Sequence, residues 1–161
     1  MSYASEMTKK NRPVIFISGL SNSGKTTLIE LLIPRLRQRG LRVGTIKHAH
    51  EEHEVDRPGK DSWRHTQAGA SAVMLISPKE VASFVRTQEE TKLTKAIEQM
   101  SPQVDLILVE GFKETPGRKI LIEPNGSYRL KTNGLVCRVG IFPGQLSPFE
   151  LERLVQFCEG R

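Results

Sequence analysis

The chain has 161 residues, of which 37% are hydrophobic, and its formal net charge is +6. This length and composition exclude collagenous, coiled-coil and wholly disordered proteins, and they predict one soluble domain over residues 1–161 with a flexible tail at residues 1–12. The charge favours anionic ligands, but the lysines and arginines are spread along the chain, so we expect no nucleic-acid partner. No segment has the apolar length of a signal peptide or of a membrane span, so we expect a cytoplasmic protein without membrane contact.

The first predicted elements are a strand, a glycine-rich turn and a helix. Residues 14–18 form a mostly apolar run that is typical of a buried strand. From Gly24 to Gly40, apolar residues recur at helical spacing, at Leu28, Leu31, Leu32 and Leu36. Pro34 removes one backbone hydrogen bond inside this helix, so we expect a local distortion that the helix survives.

The rest of the chain also alternates between strands and helices. Strands are predicted at residues 41–47, 71–77, 81–87 and 104–111. Helices are predicted at residues 60–70, at residues 89–100 and after Ser147, where Glu150 completes a capping box. Two Asn-Gly pairs predict short antiparallel strands within residues 118–135. The predicted fold class is therefore α/β, with a mostly parallel sheet flanked by helices and a short antiparallel hairpin extension near the C-terminus.

Residues 19–26, Gly-Leu-Ser-Asn-Ser-Gly-Lys-Thr, match the phosphate-binding P-loop pattern G-x-x-x-x-G-K-[ST]. The match stands between an apolar strand and a helix N-terminus, which is the context that this pattern requires. Glycines allow successive backbone amides to point at phosphate oxygens, and the helix N-terminus adds partial positive charge. We expect Lys25 to contact the terminal phosphates and the Thr26 hydroxyl to ligate Mg²⁺. The alternative is a glycine-rich helix entry that binds nothing.

Two carboxylates on the predicted strand at residues 104–111 are candidates for the metal partner of the P-loop. Asp105 and Glu110 lie roughly 17 Å apart along an extended strand at about 3.3 Å per residue. Because ligands bind beyond the carboxyl ends of parallel strands, only Glu110 can face the phosphates. We therefore predict that Glu110 has a metal-binding and catalytic role, and that Asp105 is a solvated residue at the start of the strand. The alternative for Glu110 is an exposed acid at a strand end.

Polar side chains also follow the second predicted strand. Lys47 and His48 come directly after its apolar part, and a polar loop continues beyond them. Lys60 can pair with a phosphate, and Asp61 can ligate Mg²⁺ through water or orient an attacking water as a catalytic residue. The alternative is a Pro58-Gly59 turn in which Lys60 and Asp61 are an exposed pair that caps a helix.

Three further features have both a functional and a structural interpretation. Histidines recur among three glutamates, at His48, His50 and His53, and they could form a metal cluster or belong to a mobile charged loop. Trp63 is a packing residue or a base-stacking platform. Cys137 and Cys158 lack metal-ligand spacing, so we expect both to be reduced thiols.

The most informative stretches of the chain are SGLSNSGKTTL, TIKHAH, VDRPGKDSWRHTQAGA and DLILVEGFK. Together they resemble the molybdopterin-guanine dinucleotide biosynthesis protein B (MobB) family, a branch of the P-loop GTPases, from Val14 to about Lys113. The resemblance implies a GTP-binding, Mg²⁺-dependent homodimer with weak intrinsic hydrolysis, which assists the guanylyltransferase that attaches GMP to molybdopterin. The resemblance also places Glu110 beside the phosphates and the metal. It assigns the nucleotide contacts to Ser21, Asn22, Ser23, Gly24, Lys25, Thr26, Thr27, Pro58, Gly59, Lys60 and Asp61.

The resemblance weakens after Lys113, and the chain has no N-K-x-D guanine-binding motif, so preference for GTP over ATP rests on the resemblance alone. The expected partner is a molybdopterin guanylyltransferase, docked at Phe112-Lys113 and at the loop of residues 49–59, and direct contact with molybdopterin is a second option.

Two alternative functions stay open. A small-molecule kinase would need an arginine-rich lid, which the acidic HEEHE loop does not supply. A GTP-dependent metal-insertion chaperone is supported only by the histidines.

Overall fold

The structure is a computed structural model that describes residues 12–49, 56–126 and 134–160. The chain divides into two compact units, a larger one of residues 1–48 and 93–161 and a smaller one of residues 49–92. The prediction of one domain over the whole chain stays a prediction, and residues 1–11 of the predicted tail lie outside the described residues. No helix within the described ranges has the length and apolar character needed to cross a membrane.

Strands and helices alternate from the first strand to the third, as predicted, whereas some later strands follow one another without an α-helix between them. The strands are β1 (Val14–Gly19), β2 (Val43–Lys47), β3 (Ala72–Ile76), β4 (Val81–Val85), β5 (Leu106–Glu110), β6 (Arg118–Ile122) and β7 (Val136–Val139). The helices are α1 (Lys25–Gln38), α2 (Asp61–Gln67), α3 (Leu93–Met100) and α4 (Pro148–Glu159). Helix α1 continues through Pro34 to Gln38, so the prediction that the helix survives this proline is confirmed.

The larger unit contains a five-stranded sheet in the order β2-β5-β1-β6-β7, and its four pairings are all parallel. Alternate residues of β1 pack into two different hydrophobic clusters. Ile15 and Ile17 pack with apolar residues of α1 and α4, whereas Phe16 packs with Ile97 of α3 and with Val109. A strand that is covered on both faces needs a continuous apolar run, which is what β1 and β5 have. The predicted α/β fold with a mostly parallel, helix-flanked sheet is therefore confirmed.

Strand register brings the carboxyl ends of the sheet to one edge. Glu110, the last residue of β5, is paired with Ile17 of β1 on one side and with Lys47 of β2 on the other. Gly19, where β1 leads into the P-loop, is paired with Ile122 of β6. The segments that follow each strand therefore meet at this edge, which is where ligands bind to open parallel sheets.

The antiparallel ribbon lies earlier in the chain than predicted. It is formed by β3 and β4 in the smaller unit, where α2 packs beside β3. In the predicted segment, β6 instead pairs in parallel with β1 and β7, and the first Asn-Gly pair lies in a 3₁₀ turn at Pro124–Gly126. Residues 127–133 lie outside the described residues. For residues 118–122 the prediction of an antiparallel strand was wrong, because the apolar run of β6 suits a buried parallel strand and this tertiary preference outweighed the local turn signal.

The capping box predicted at the start of the last helix is confirmed. Ser147 Oγ accepts a hydrogen bond from the Glu150 backbone N–H at 3.2 Å, and the Glu150 carboxylate accepts one from the Ser147 backbone N–H at 2.8 Å. Helix α4 then buries Leu151, Leu154 and Val155 against the sheet.

Replacing Ser147 with alanine should lower the free energy of unfolding by about 1 kcal/mol, because one N-terminal amide of α4 loses its side-chain acceptor. Urea denaturation of the two proteins measures this difference. Ser71→Ala, at an exposed serine outside the helices, is the control and should change stability by less than about 0.5 kcal/mol. Equal unfolding midpoints for Ser147→Ala and the unmodified protein would contradict the assigned cap.

Candidate functional site

The turn between β1 and α1 has the backbone conformation of a phosphate-binding loop. Gly24 precedes the helix with a φ of 93°, and Asn22 has a φ of 60°. A glycine is needed at position 24 for two reasons. Its φ is one that other residues rarely adopt, and a Cβ there would lie 2.7 Å from Cδ of Pro143. The tip of the loop therefore packs directly against a segment that follows β7.

Gly19 at the base of the turn is required by close packing. A Cβ at this position would lie 2.5 Å from Oγ of Ser23 and 2.8 Å from the backbone carbonyl oxygen of Ile122. Within the described residues, Ser23 Oγ and Ser18 Oγ are buried without a hydrogen-bond partner. The turn is thus packed tightly against β6, and it contains polar atoms that the protein alone does not satisfy.

The Lys25 ammonium lies over its own loop. Its Nζ donates hydrogen bonds to the carbonyl oxygens of Leu20 at 2.7 Å and Gly19 at 3.3 Å. Burial lowers the pKa of Lys25, the nearby Glu110 carboxylate opposes this shift, and the Lys47 ammonium adds to it. Two cations and one carboxylate therefore gather at the β5 side of the turn, where phosphate charge would be accommodated.

Thr26 and Glu110 come together as the sequence predicts. Thr26 Oγ1 donates to Glu110 Oε2 at 3.4 Å, although the two residues are 84 positions apart in the chain. A hydroxyl and a carboxylate are hard oxygen donors of the kind that Mg²⁺ prefers, and Mg²⁺ in nucleotide sites takes few protein ligands. The donor set therefore fits Mg²⁺. The predicted catalytic role of Glu110 is not tested by this geometry.

Asp105 lies at the opposite end of β5 and has a partner of its own. Its carboxylate accepts hydrogen bonds from the Arg42 guanidinium at 2.7 and 3.0 Å and from the Arg42 backbone N–H at 2.9 Å. These hydrogen bonds lower the pKa of Asp105 to about 2. Asp105 is therefore the partner of Arg42 at the start of β2, rather than simply solvated as the sequence indicated.

The ion pair of Asp105 predicts an acid-sensitive part of the stability. Because the folded-state pKa of about 2 is below the ordinary value of 3.8, the stabilising effect is fully present above pH 3.8 and is lost as the pH falls towards 2. Asp105→Asn should therefore be less stable than the unmodified protein at pH 7, and the difference should shrink between pH 4 and pH 2. Thermal melts across this range measure the effect. A constant difference would contradict the assignment.

The chain after Glu110 is held by a tight turn and by a stacked ring pair. Gly111 has a φ of 106°, and Phe112 has a φ of 49°, which is unusual for a residue with a side chain. The His48 backbone N–H donates to the Glu110 carbonyl at 3.0 Å, and the rings of His48 and Phe112 lie 4.4 Å apart between centroids. The ends of β2 and β5 are thereby fixed to each other beside the P-loop.

Lys119 is a buried lysine that the sequence analysis did not identify. It lies in β6 with no exposed surface, and its Nζ donates to the backbone carbonyls of Lys113 and Thr115. Its Nζ also lies 5.7 Å from the centre of the Phe16 ring, and burial lowers its pKa. This lysine anchors the loop that follows Glu110. The only signal in the sequence is a lysine within an apolar strand, where a solvent-facing side chain is the usual interpretation.

Pro58, Gly59, Lys60 and Asp61 belong to the smaller unit. They form a turn and the start of α2, with a φ of 84° at Gly59. Lys60 is the residue before the helix, and the Asp61 side chain is 86% exposed, with Arg64 NH1 3.8 Å from its carboxylate. The local structure matches the helix-start interpretation. The predicted contribution of these four residues to the phosphate site stays a prediction.

The remaining sequence candidates are only partly described. His50 and His53 lie outside the described residues, and among the described ones no group of three His, Cys, Asp or Glu side chains could hold a metal ion. Trp63 is half-buried in α2. Both cysteines are free thiols, as predicted, and burial raises the pKa of Cys158 to about 12.

Comparisons with known proteins agree with this geometry. The chain matches the family model of molybdopterin guanine dinucleotide synthesis protein B (MobB) over residues 14–134. It is 46% identical over 111 residues to a molybdopterin-guanine dinucleotide biosynthesis adapter protein of Haemophilus influenzae, a match that covers 68% of this chain and 62% of that protein. An adapter protein of the same name from Escherichia coli is 40% identical over 118 residues, which are 71% of this chain and 67% of the relative.

A solved structure extends the similarity along the chain. The crystal structure of Bacillus subtilis MobB matches with a TM-score of 0.72 at 27% identity, over 92% of this chain and 99% of that chain. By contrast, the alignment with the Haemophilus influenzae relative spans less than two thirds of that protein. The family match includes the P-loop, Glu110 and Lys119. This chain, with its P-loop at the carboxyl edge of a parallel sheet, belongs to the MobB family.

Proposed function

We propose that this protein is a GTP-binding adapter in molybdopterin-guanine dinucleotide biosynthesis, which assists a guanylyltransferase in attaching GMP to molybdopterin. The observation that carries the proposal is a complete P-loop with Thr26 and Glu110 in contact, in a chain of the MobB family. The Haemophilus influenzae and Escherichia coli relatives are both named molybdopterin-guanine dinucleotide biosynthesis adapter proteins, which supports the pathway.

The P-loop residues suggest how the nucleotide would be held. The backbone amides of Ser21–Thr27 would cradle the phosphates. Lys25 would exchange the carbonyl oxygens of Gly19 and Leu20 for phosphate oxygens, which are stronger acceptors because they are charged. Thr26 and Glu110 would hold Mg²⁺. When bound, this ion neutralises charge on the terminal phosphates.

The proposed function is that of an adapter rather than of an efficient enzyme. The charged side chains that shift the pKa of Lys25 are Glu110 and Lys47, and neither is an arginine that could stabilise a transferring phosphoryl group. Such an arginine contributes about 10³–10⁵ in rate when a partner supplies it. We propose that intrinsic hydrolysis is weak and that Asp61 and Glu110 contribute what catalysis there is.

The isolated protein should therefore hydrolyse GTP at less than about 10⁻² s⁻¹ in the presence of Mg²⁺. Single-turnover release of phosphate measures this rate. The same assay with Lys25→Ala shows how much of the signal comes from a contaminating enzyme. Rapid turnover without a partner, abolished in Lys25→Ala, would contradict the adapter proposal and indicate an autonomous enzyme.

Exposed surfaces support contacts with other proteins. The β3–β4 ribbon exposes large apolar side chains at Met74, Leu75, Ile76, Val81 and Val85. Exposed apolar clusters of this kind mark protein interaction sites, which supports the proposed homodimer. For the guanylyltransferase, we propose the Phe112-Lys113 turn and the loop of residues 49–59, of which residues 50–55 lie outside the described residues. Light scattering of the purified protein measures the oligomeric state directly.

Deleting the gene in its host tests the proposal most sharply. We expect reduced activity of an enzyme that uses the guanine dinucleotide form of the cofactor and normal activity of enzymes that do not. Reintroducing the unmodified gene should restore activity, and a Lys25→Ala gene should not. Unchanged activity, together with phosphorylation of a small metabolite by the purified protein, would favour the kinase alternative. A metal-loading defect in an unrelated enzyme would favour the metal-insertion alternative.

A further inference from the structure

The P-loop site has two sides that differ in charge. On the β5 side, Lys25, Lys47 and Glu110 interact electrostatically. On the opposite side, the charged side chains at the ends of β6 and β7 pair with each other, Arg138 with Glu123. The segment that follows β7, residues 140–149, contains no charged residue, although 26% of the chain is charged. One side of the site thus suits phosphates and metal, and the other suits a neutral group.

This uncharged segment is in contact with the P-loop. Residues Pro143–Gln145 form a 3₁₀ turn that lies beside α1. Pro143 is buried, and its ring carbons approach Gly24 so closely that a Cβ on Gly24 would lie 2.7 Å from Cδ. The Gln145 backbone N–H donates to the Phe142 carbonyl at 2.8 Å, which closes the turn. The segment is therefore a fixed wall next to the last glycine of the P-loop.

The side chains next to Pro143 are available to a ligand. Phe142 is 45% exposed although it is a large apolar residue, and Gln145 is also exposed. An exposed aromatic ring can stack on a base, and a carboxamide can both donate to and accept from the edge of a base.

The strand order places β5 and β6 on opposite sides of β1. Its terminal phosphates would lie at Lys25 and near Glu110 of β5, on one side of β1. The side of β1 away from this cluster carries β6 and β7, so a nucleotide that extends away from the cluster would reach them. Two strand spacings of about 4.8 Å separate β1 from β7, and the segment after β7 returns to touch Gly24.

We propose that residues 141–145 form the nucleoside-binding wall of the P-loop site, with Phe142 stacking on the purine base and Gln145 hydrogen-bonding to its edge. This inference rests on the proposed function, because it assumes that the P-loop holds a nucleotide. It assigns base contacts in a chain whose sequence has no N-K-x-D motif.

Phe142→Ala should weaken binding of Mg²⁺-GTP about tenfold, because one base-stacking contact is lost. It should leave the binding of Mg²⁺-tripolyphosphate, which has no nucleoside, unchanged. Phe142→Trp should keep the GTP affinity, because it keeps an aromatic face. The matched control is Phe149→Ala, at a phenylalanine of α4 that is 72% exposed, which should bind both ligands normally. Calorimetry measures all of these affinities.

The outcomes separate this inference from the proposed function. Equal GTP affinity in Phe142→Ala and the unmodified protein would overturn the nucleoside wall while leaving the P-loop proposal intact. An equal loss of GTP and tripolyphosphate binding in Phe142→Ala would also overturn it, because the residue would then act on the phosphate site. Failure of the unmodified protein to bind either ligand would overturn the proposed function and, with it, this inference.

Discussion

Replacing Lys25 with alanine should weaken the binding of Mg²⁺-GTP by about 100-fold. Hydrogen bonds to charged groups contribute about 1.5–3 kcal/mol each, and about 2.7 kcal/mol corresponds to 100-fold in affinity. Lys25 is the cation of the P-loop, and its Nζ already lies over the loop carbonyls of Gly19 and Leu20, where phosphate oxygens would take their place. Isothermal calorimetry with and without Mg²⁺ measures the affinities of the two proteins.

The same substitution should hardly change the stability of the unliganded protein. Burial lowers the pKa of Lys25, so the free site disfavours its charge, and removal of the ammonium relieves that cost. The substitution also removes two hydrogen bonds from Lys25 to backbone carbonyls, and the one to Leu20 is at the exposed surface. The two effects oppose each other, so loss of binding in Lys25→Ala would report the phosphate site rather than unfolding.

The matched control is Lys95→Ala, at an exposed lysine on α3. It removes the same charge from the protein and so corrects for the general effect of a lower net charge on an anionic ligand. We expect Lys95→Ala to bind GTP normally. If Lys25→Ala and Lys95→Ala bind equally well, the P-loop assignment is wrong.

The parts of the site that could be predicted from the sequence are those whose residues are close together in the chain. The P-loop occupies residues 19–26, and its function depends on backbone geometry that glycines encode locally. The capping box at Ser147 and Glu150 is equally local. Glu110 could be predicted as well, because strand direction alone decides which end of β5 faces the P-loop.

The parts that could not be predicted depend on which strands become neighbours. The Asn-Gly pairs favoured a hairpin, but β6 pairs with β1 and β7 instead, and no local pattern encodes that choice. The burial of Lys119 has the same origin, because its carbonyl partners are brought under β6 by the path of the chain after Glu110. Pro143 and Gly24 meet across 119 positions of sequence, so the wall beside the P-loop was visible only in the fold.

Replacing Glu110 with glutamine should raise the Mg²⁺ concentration needed for GTP binding by about tenfold or more. The substitution keeps the size of the side chain and removes the negative charge of the oxygen pair beside Thr26. A carboxamide is a weaker ligand for Mg²⁺ than a carboxylate, and loss of a group that supports a metal site typically costs about 10–100-fold in metal affinity. Titration of Mg²⁺ at a fixed GTP concentration measures the change.

Asp105→Asn is the matched control, because it makes the same chemical change at the residue that directly precedes the same strand. The Asp105 oxygens bind the guanidinium and backbone N–H of Arg42 at the amino end of β5. Asp105→Asn should therefore bind Mg²⁺-GTP normally and lose stability at neutral pH, whereas Glu110→Gln should show the opposite pattern. Since β5 runs parallel to β1, with Glu110 paired to Ile17, this contrast follows from strand direction alone. A metal defect in Asp105→Asn, with normal binding in Glu110→Gln, would mean that the phosphate site lies at the other end of the sheet.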